Sequence, residues 1–240
     1  MTPHASSLVQ LGIPGLALLV VGLVTIGVAR SSGRRVAARF ALAVAAWLAF
    51  TGALGASGFL ADFSSRPPHL LVLFLPTLVG TVLLGLSRLG AELSSLPIAA
   101  LVGLQSFRLP LELVMHRAAT EGTMPEQMTF TGHNFDIVTG VAAIAVAVLA
   151  ARGKAPRWLL LGWNLLGSAL LLTILVVAVV SLPTFGLYGR EPHQLNTWVA
   201  YFPYVWLPAG LVSAALLGHV LLWRRLLVHG MRGRALASAT

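Results

Sequence analysis

The sequence contains no cysteine and a single lysine, and only 10% of its 240 residues are charged. The missing cysteine excludes disulfides, thiolate metal sites and cysteine nucleophiles, and leaves the redox compartment open. The scarcity of charge excludes a soluble globule, because soluble domains carry about 25% charged residues. Acids are scarcer still, seven against sixteen Lys and Arg, for a formal net charge of +9. In a soluble protein that excess would point to nucleic acid. Here the cations stand in short clusters between apolar runs of about 20 residues, which points to a multi-span membrane protein and away from nucleic acid. What is abundant agrees: 57% of residues are hydrophobic and mean hydropathy is +0.87. Fifteen of the sixteen cations are Arg, and Leu and Ala dominate the chain, a bias common in GC-rich bacterial genomes.

Seven apolar stretches are long enough to cross about 30 Å of hydrocarbon at about 1.5 Å per residue. They cover 11–29, 37–60, 69–87, 94–116, 135–151, 158–181 and 199–223, so the expected fold is an all-α, polytopic seven-transmembrane-helix bundle in one domain, followed by a basic tail at 224–240. No Lys or Arg precedes the first stretch, so it reads as a retained helix rather than a signal peptide. The loops holding Arg30, Arg34, Arg35, Arg39, Arg88, Arg152, Lys154 and Arg157 fall on the same side as the tail with Arg224, Arg225, Arg232 and Arg234. The positive-inside bias makes that side cytoplasmic, with the N-terminus outside and contact with anionic lipid at the inner face. Asp62, Glu121, Glu126, Asp136 and Glu191 fall on the outer side. Pro67 and Pro68 precede the third span, and Thr131 and Asn134 are cap candidates for the fifth.

A weak internal repeat is visible. Leu75-Pro76 and Leu83-Leu84-Gly85 of the third span recur as Leu207-Pro208 and Leu216-Leu217-Gly218 of the seventh, and Trp47 and Gly52 match Trp163 and Gly167. The pattern suggests a 3+1+3 plan of two parallel three-helix units, as in SWEET-type transporters and microbial rhodopsins. A retinal Schiff base is excluded, since Lys154 lies in a loop. The paired Pro-Gln signatures of SWEET proteins are missing too.

The fourth span carries the chemistry. At about 100° per residue, Gln105, Arg108, Glu112 and His116 fall within an arc of roughly 80°, a polar stripe about 16 Å long. Charge in a bilayer costs a few kcal/mol per residue even on lenient scales, so this stripe must face the bundle interior and be paired. Arg108 and Glu112, four apart, are positioned to pair with each other, and Pro110 removes a backbone hydrogen bond inside the stripe. Asn134 and Asp136 at the start of span five and Tyr201 and Tyr204 at the start of span seven complete a candidate ligand-binding set. His4, His69, His116, His133 and His193 crowd the outer side. Of these, His116, His133 and His193, with Asp136, are candidate metal ligands, although none has a diagnostic spacing. Asn164 and His219, on spans six and seven, are expected to hydrogen-bond as interhelical glue.

The segments QSFRLPLELVMH (105–116), MTFTGHNFDIVTG (128–140) and YFPYVWLPA (201–209) resemble a family of small seven-helix bacterial integral membrane proteins with no assigned activity. That resemblance implies fold and membrane location only. The histidine pattern of adiponectin-receptor and ceramidase hydrolases is missing, since His219 has no partner four residues away. Three functions stay open: a bacterial inner-membrane protein binding or transporting a small polar or anionic molecule, a metal-dependent enzyme at the outer face, and an accessory or assembly subunit whose buried charges only fix packing.

Overall fold

The computed structural model describes residues 5–237, with side chains described to Leu227. Among the described residues the chain is all helical. The helices are α1 (Ser7–Ser32), α2 (Arg34–Ala56), α3 (His69–Leu86), α4 (Arg88–Ser94), α5 (Ile98–Leu104), α6 (Arg108–Thr120), α7 (Asp136–Ala151), α8 (Arg157–Val180) and α9 (Ser213–Ala237). Among the described residues six segments are long and apolar enough to cross a membrane: α1, α2, α3, the continuous run Ile98–Thr120, α8, and Leu207–Leu227. The seventh apolar helix, α7, has only 16 residues, about 24 Å.

The outer surface is apolar, with Leu42 72% and Leu11 70% exposed, as expected of helices that shed their hydrophobic faces into lipid rather than into a core. Ile13 and Ala17 of α1 share one buried apolar cluster with Phe107, Leu111 and Met115 of the fourth span, Leu171 and Ile174 of α8, and Leu207 and Leu211 of the last span. Close approach depends on glycine at several places, two of them beside the polar residues of the fourth and last spans. A Cβ at Gly140 would lie 2.6 Å from Leu109 N, and one at Gly167 would lie 2.5 Å from His219 Cε1.

Two spans are irregular. A 3-10 turn at Gln105–Phe107 separates α5 from α6. Pro110 explains it: the nitrogen of Pro110 has no hydrogen to give to Ser106, so the helix restarts at Arg108 and places the proline in a first turn, where no donor is needed. A π-helical turn at Leu207–Val212 opens the last span, with Pro208 in it. The expected seventh span therefore begins later than position 199. Residues 198–200 form a 3-10 turn, and the aromatic stretch that follows belongs to the connection rather than to the helix. The segment between α6 and α7 folds back into the bundle, burying Met124, Met128, Thr129 and Asn134. Non-helical backbone at that depth is tolerated because protein surrounds it.

At the cation-rich end, arginines close helix termini. Arg224 Nη1 donates to the carbonyls of Gly85 (3.0 Å) and Ser87 (2.9 Å), Arg225 Nη1 to that of Ser94 (2.8 Å), and Arg157 Nη2 to that of Leu226 (3.0 Å). The bonds from Arg224 and Arg225 satisfy carbonyls at the ends of α3 and α4, where cations suit the negative pole of a helix, whereas that from Arg157 ties α8 to the middle of α9. The segment expected as a tail is helical through Ala237. At the opposite end, the Ser6 N–H donates to Glu121 Oε2 at 2.8 Å and, with Arg117 at 2.5 Å, holds that carboxyl below its ordinary range.

Candidate functional site

The fold-back between α6 and α7 creates the site. Asn134 lies beside Glu112, which stands eight residues, about 12 Å, back along α6 from Thr120. The Asn134 amide Nδ2 donates to both Glu112 oxygens, at 2.8 and 2.9 Å, and to the Met128 carbonyl at 3.1 Å. Its Oδ1 accepts from the Asp136 N–H at 3.2 Å, an Asx turn that precedes the helix; the N-cap position itself is Phe135, not Asn134 as the sequence suggests. That fixes Asp136 at the buried start of α7, with its Oδ1 3.1 Å from Arg108 Nη1.

Arg108 also reaches α9. Its Nη1 lies 3.0 Å from His219 Nε2, and a guanidinium can only donate, so Nε2 accepts. The imidazole proton then sits on Nδ1, where it donates to Asn164 Oδ1 at 2.7 Å, while Asn164 Nδ2 donates to the His219 carbonyl at 3.3 Å. The expected Asn164–His219 bond is present, and it extends into a chain running Asn164–His219–Arg108–Asp136, with Glu112 joined through Asn134. Four elements contribute: α6, the start of α7, α8 and α9.

Beside this chain lies a cavity of about 70 Å³. Its walls are mostly aliphatic and aromatic, drawn from α3, the fourth span, α8 and the last span; its polar lining is Arg108, Glu112, Asn134, Asp136 and Asn196. That volume accommodates a few water molecules or one small molecule. Arg108 is 1% exposed, yet its Nε and Nη2 have no hydrogen-bond partner. A buried donor without a partner costs about 1–3 kcal/mol.

Several expectations change. Arg108 and Glu112 do not form the expected i,i+4 ion pair; Asp136 takes Arg108 and Asn134 takes Glu112, because the fold-back brings both partners to the face of α6. Of the eight residues expected to bind ligand, Arg108, Glu112, Asn134 and Asp136 line the cavity. Gln105 borders the network instead, donating to the Ala215 carbonyl at 3.2 Å. His116 stacks on Phe130 at 4.6 Å, and Tyr204 is buried against Trp198 at 5.0 Å. Tyr201 is half-buried in the same connection.

The four candidate metal ligands are not brought together. His116 packs on Phe130, His133 lies 5.4 Å from Tyr188, Asp136 pairs with Arg108, and His193 is exposed. Among the described residues no three His, Asp or Glu side chains converge on a metal-sized space. His69 stacks on Phe59 at 4.2 Å, and His4 lies outside the described residues. Asn196, on the cavity wall, is the site residue that the sequence reading missed, since a lone asparagine in a long connection carries no pattern. No family, curated protein or solved structure matches the chain.

Proposed function

We propose that this is a bacterial inner-membrane protein that binds, and moves, a small polar or anionic molecule in the cavity beside Arg108. One observation carries the reading: a guanidinium nearly sealed from solvent keeps two nitrogens unpaired on a residue that lines an otherwise apolar chamber. A purely structural ion pair in such a place is favoured only when every donor is used. Glu112, four residues further along the same helix and on the same cavity wall, supplies a carboxyl able to take or give a proton as ligand enters. Discontinuous helices around a buried polar site are the arrangement by which many transporters expose backbone to substrate.

The experiment is a thermal-unfolding screen of the detergent-purified chain against amino acids, short carboxylates, simple amides and inorganic phosphate, beside Arg108→Met. A ligand present at a hundred times its Kd stabilises by about 2.7 kcal/mol. The reading expects at least one compound to raise the midpoint of the wild type and leave Arg108→Met unmoved. Equal shifts in both proteins, or none in the wild type, contradict it and favour the packing role of an assembly subunit.

Orientation is tested separately, because the sequence has no cysteine to interfere. An impermeant maleimide applied to intact cells is expected to label Glu126→Cys and to spare Lys154→Cys. The reverse pattern contradicts an N-terminus outside.

A further inference from the structure

The cavity has a second polar pole, opposite in hydrogen-bonding sense to Arg108. Asn196 is 2% exposed and lines the same chamber. Two bonds fix its conformation: its N–H donates to the Ser181 carbonyl at 2.8 Å, and its Nδ2 donates to the Ala178 carbonyl at 3.0 Å. A carbonyl can only accept, so the second bond settles which end of the amide is nitrogen. Oδ1 is therefore the remaining atom, and it is buried without a partner. Of the other buried polar atoms without a hydrogen-bond partner, those of Ser6, Thr25, Gln105, His116, Thr139 and Trp198 belong to residues that do not line this chamber, and Asp136 Oδ1, which does, is held by its ion pair with Arg108.

We infer that the ligand of this cavity carries a neutral head with both an acceptor and a donor, the acceptor taken by Arg108 Nε or Nη2 and the donor given to Asn196 Oδ1, on a short apolar body. The inference rests on the binding function proposed above and narrows it. Primary amides, alcohols and protonated carboxylic acids belong to this class.

Charge argues against an anionic head. The lining holds one cation, Arg108, and two carboxyl groups, Glu112 and Asp136. With both ionised the site is already one negative charge in excess, and an anion would add another where water cannot screen it. A neutral head adds none. The body is apolar because the remaining walls are apolar: Leu70 and Phe74 of α3, Leu171 and Ile174 of α8, and Leu207 and Leu211 of the last span.

Propionamide, butanone and propionate share one skeleton and differ only in the group beside the carbonyl: a donor, a methyl and a negative oxygen. Their affinities for the full chain in nanodiscs are measured by saturation-transfer NMR, with Arg108→Met as the reference for probe dissolved in lipid. Propionamide is expected to bind the wild type, with butanone and propionate each about tenfold weaker, the worth of about one hydrogen bond. Asn196→Leu is expected to bring propionamide down to the level of butanone. If that variant does not fold, the comparison of the three probes on the wild type still decides. Propionate binding as tightly as propionamide, or butanone matching it, overturns the neutral donor–acceptor head while leaving a binding site at Arg108. No probe exceeding the Arg108→Met reference overturns the inference for this skeleton, and the broader screen above then decides separately whether the cavity binds ligand at all.

Discussion

Arg108 Nη1 sits 3.1 Å from Asp136 Oδ1, joining the middle of the fourth span to the buried first residue of α7. Among the described residues neither group has another formal charge partner at that distance, so the pair holds the fold-back in place. Removing one member leaves the other charged and alone in a dry interior. Asp136→Ala is expected to cost about 3–5 kcal/mol. Arg108→Met/Asp136→Leu should recover a large part of that loss, since neither charge then remains. A double-mutant cycle of unfolding free energies checks it; additive single losses would show that the pair is not coupled.

Asn134 holds Glu112 with one amide nitrogen on two oxygens. Asn134→Leu is expected to destabilise by about 1.5–3 kcal/mol, the range for hydrogen bonds to charged groups. Measured unfolding within about 0.5 kcal/mol of wild type would mean that Glu112 has another way to be satisfied.

Gly167 gives His219 its space, and Gly140 gives the backbone of α6 its own. Gly140→Ala meets a main-chain nitrogen at 2.6 Å, which cannot yield without moving the helix, whereas Gly167→Ala meets a ring edge at 2.5 Å. Both are expected to destabilise, by about 1–3 kcal/mol or more for such overpacking. Gly162→Ala, with nothing within 4 Å, is expected to be neutral or slightly stabilising. Equal effects at all three sites would contradict the packing described.

How much of this was legible in the sequence depends on which residues one asks about. Apolar runs announced the spans because length and hydropathy are additive along the chain, and α8, expected at 158–181, forms at Arg157–Val180. The polar stripe on the fourth span was visible because one helix is a single periodic object. Its partners were not, because they depend on a non-periodic segment. The i,i+4 rule offered Glu112 to Arg108, yet Asp136, 28 positions away by sequence number, is nearer once residues 121–135 turn inward. Asn196 and the link from His219 to Arg108 lie across three spans, and no local pattern encodes such a meeting. The stretch 199–206 reads by composition as the start of the seventh span, but Pro203 and Pro208 deny it the donors that a helix needs.

Outside the spans, Asp62 accepts from Ser64 N–H and Oγ and from Ser65 Oγ, at 2.9, 2.6 and 2.9 Å. The Ser64 hydroxyl bond comes first among the causes that hold its carboxyl down to about 2. A depressed folded pKa contributes stability above the ordinary carboxylate range, and that contribution is lost as pH falls toward 2. An NMR titration of the Asp62 carboxyl is expected to show a midpoint near 2, rising toward 3.8 in Ser64→Ala. An unchanged midpoint in the variant would remove the hydroxyl as the cause.

The central claim is that the unpaired nitrogens of Arg108 await a ligand. The most direct measurement is the Nε–H resonance of Arg108 in protein labelled with ¹⁵N-arginine, identified by its loss in Arg108→Lys. Titration with each compound that raises the unfolding midpoint should move this resonance more than any other arginine Nε–H. Stabilisation that leaves the Arg108 resonance in place would contradict the account, because the ligand would then be bound elsewhere.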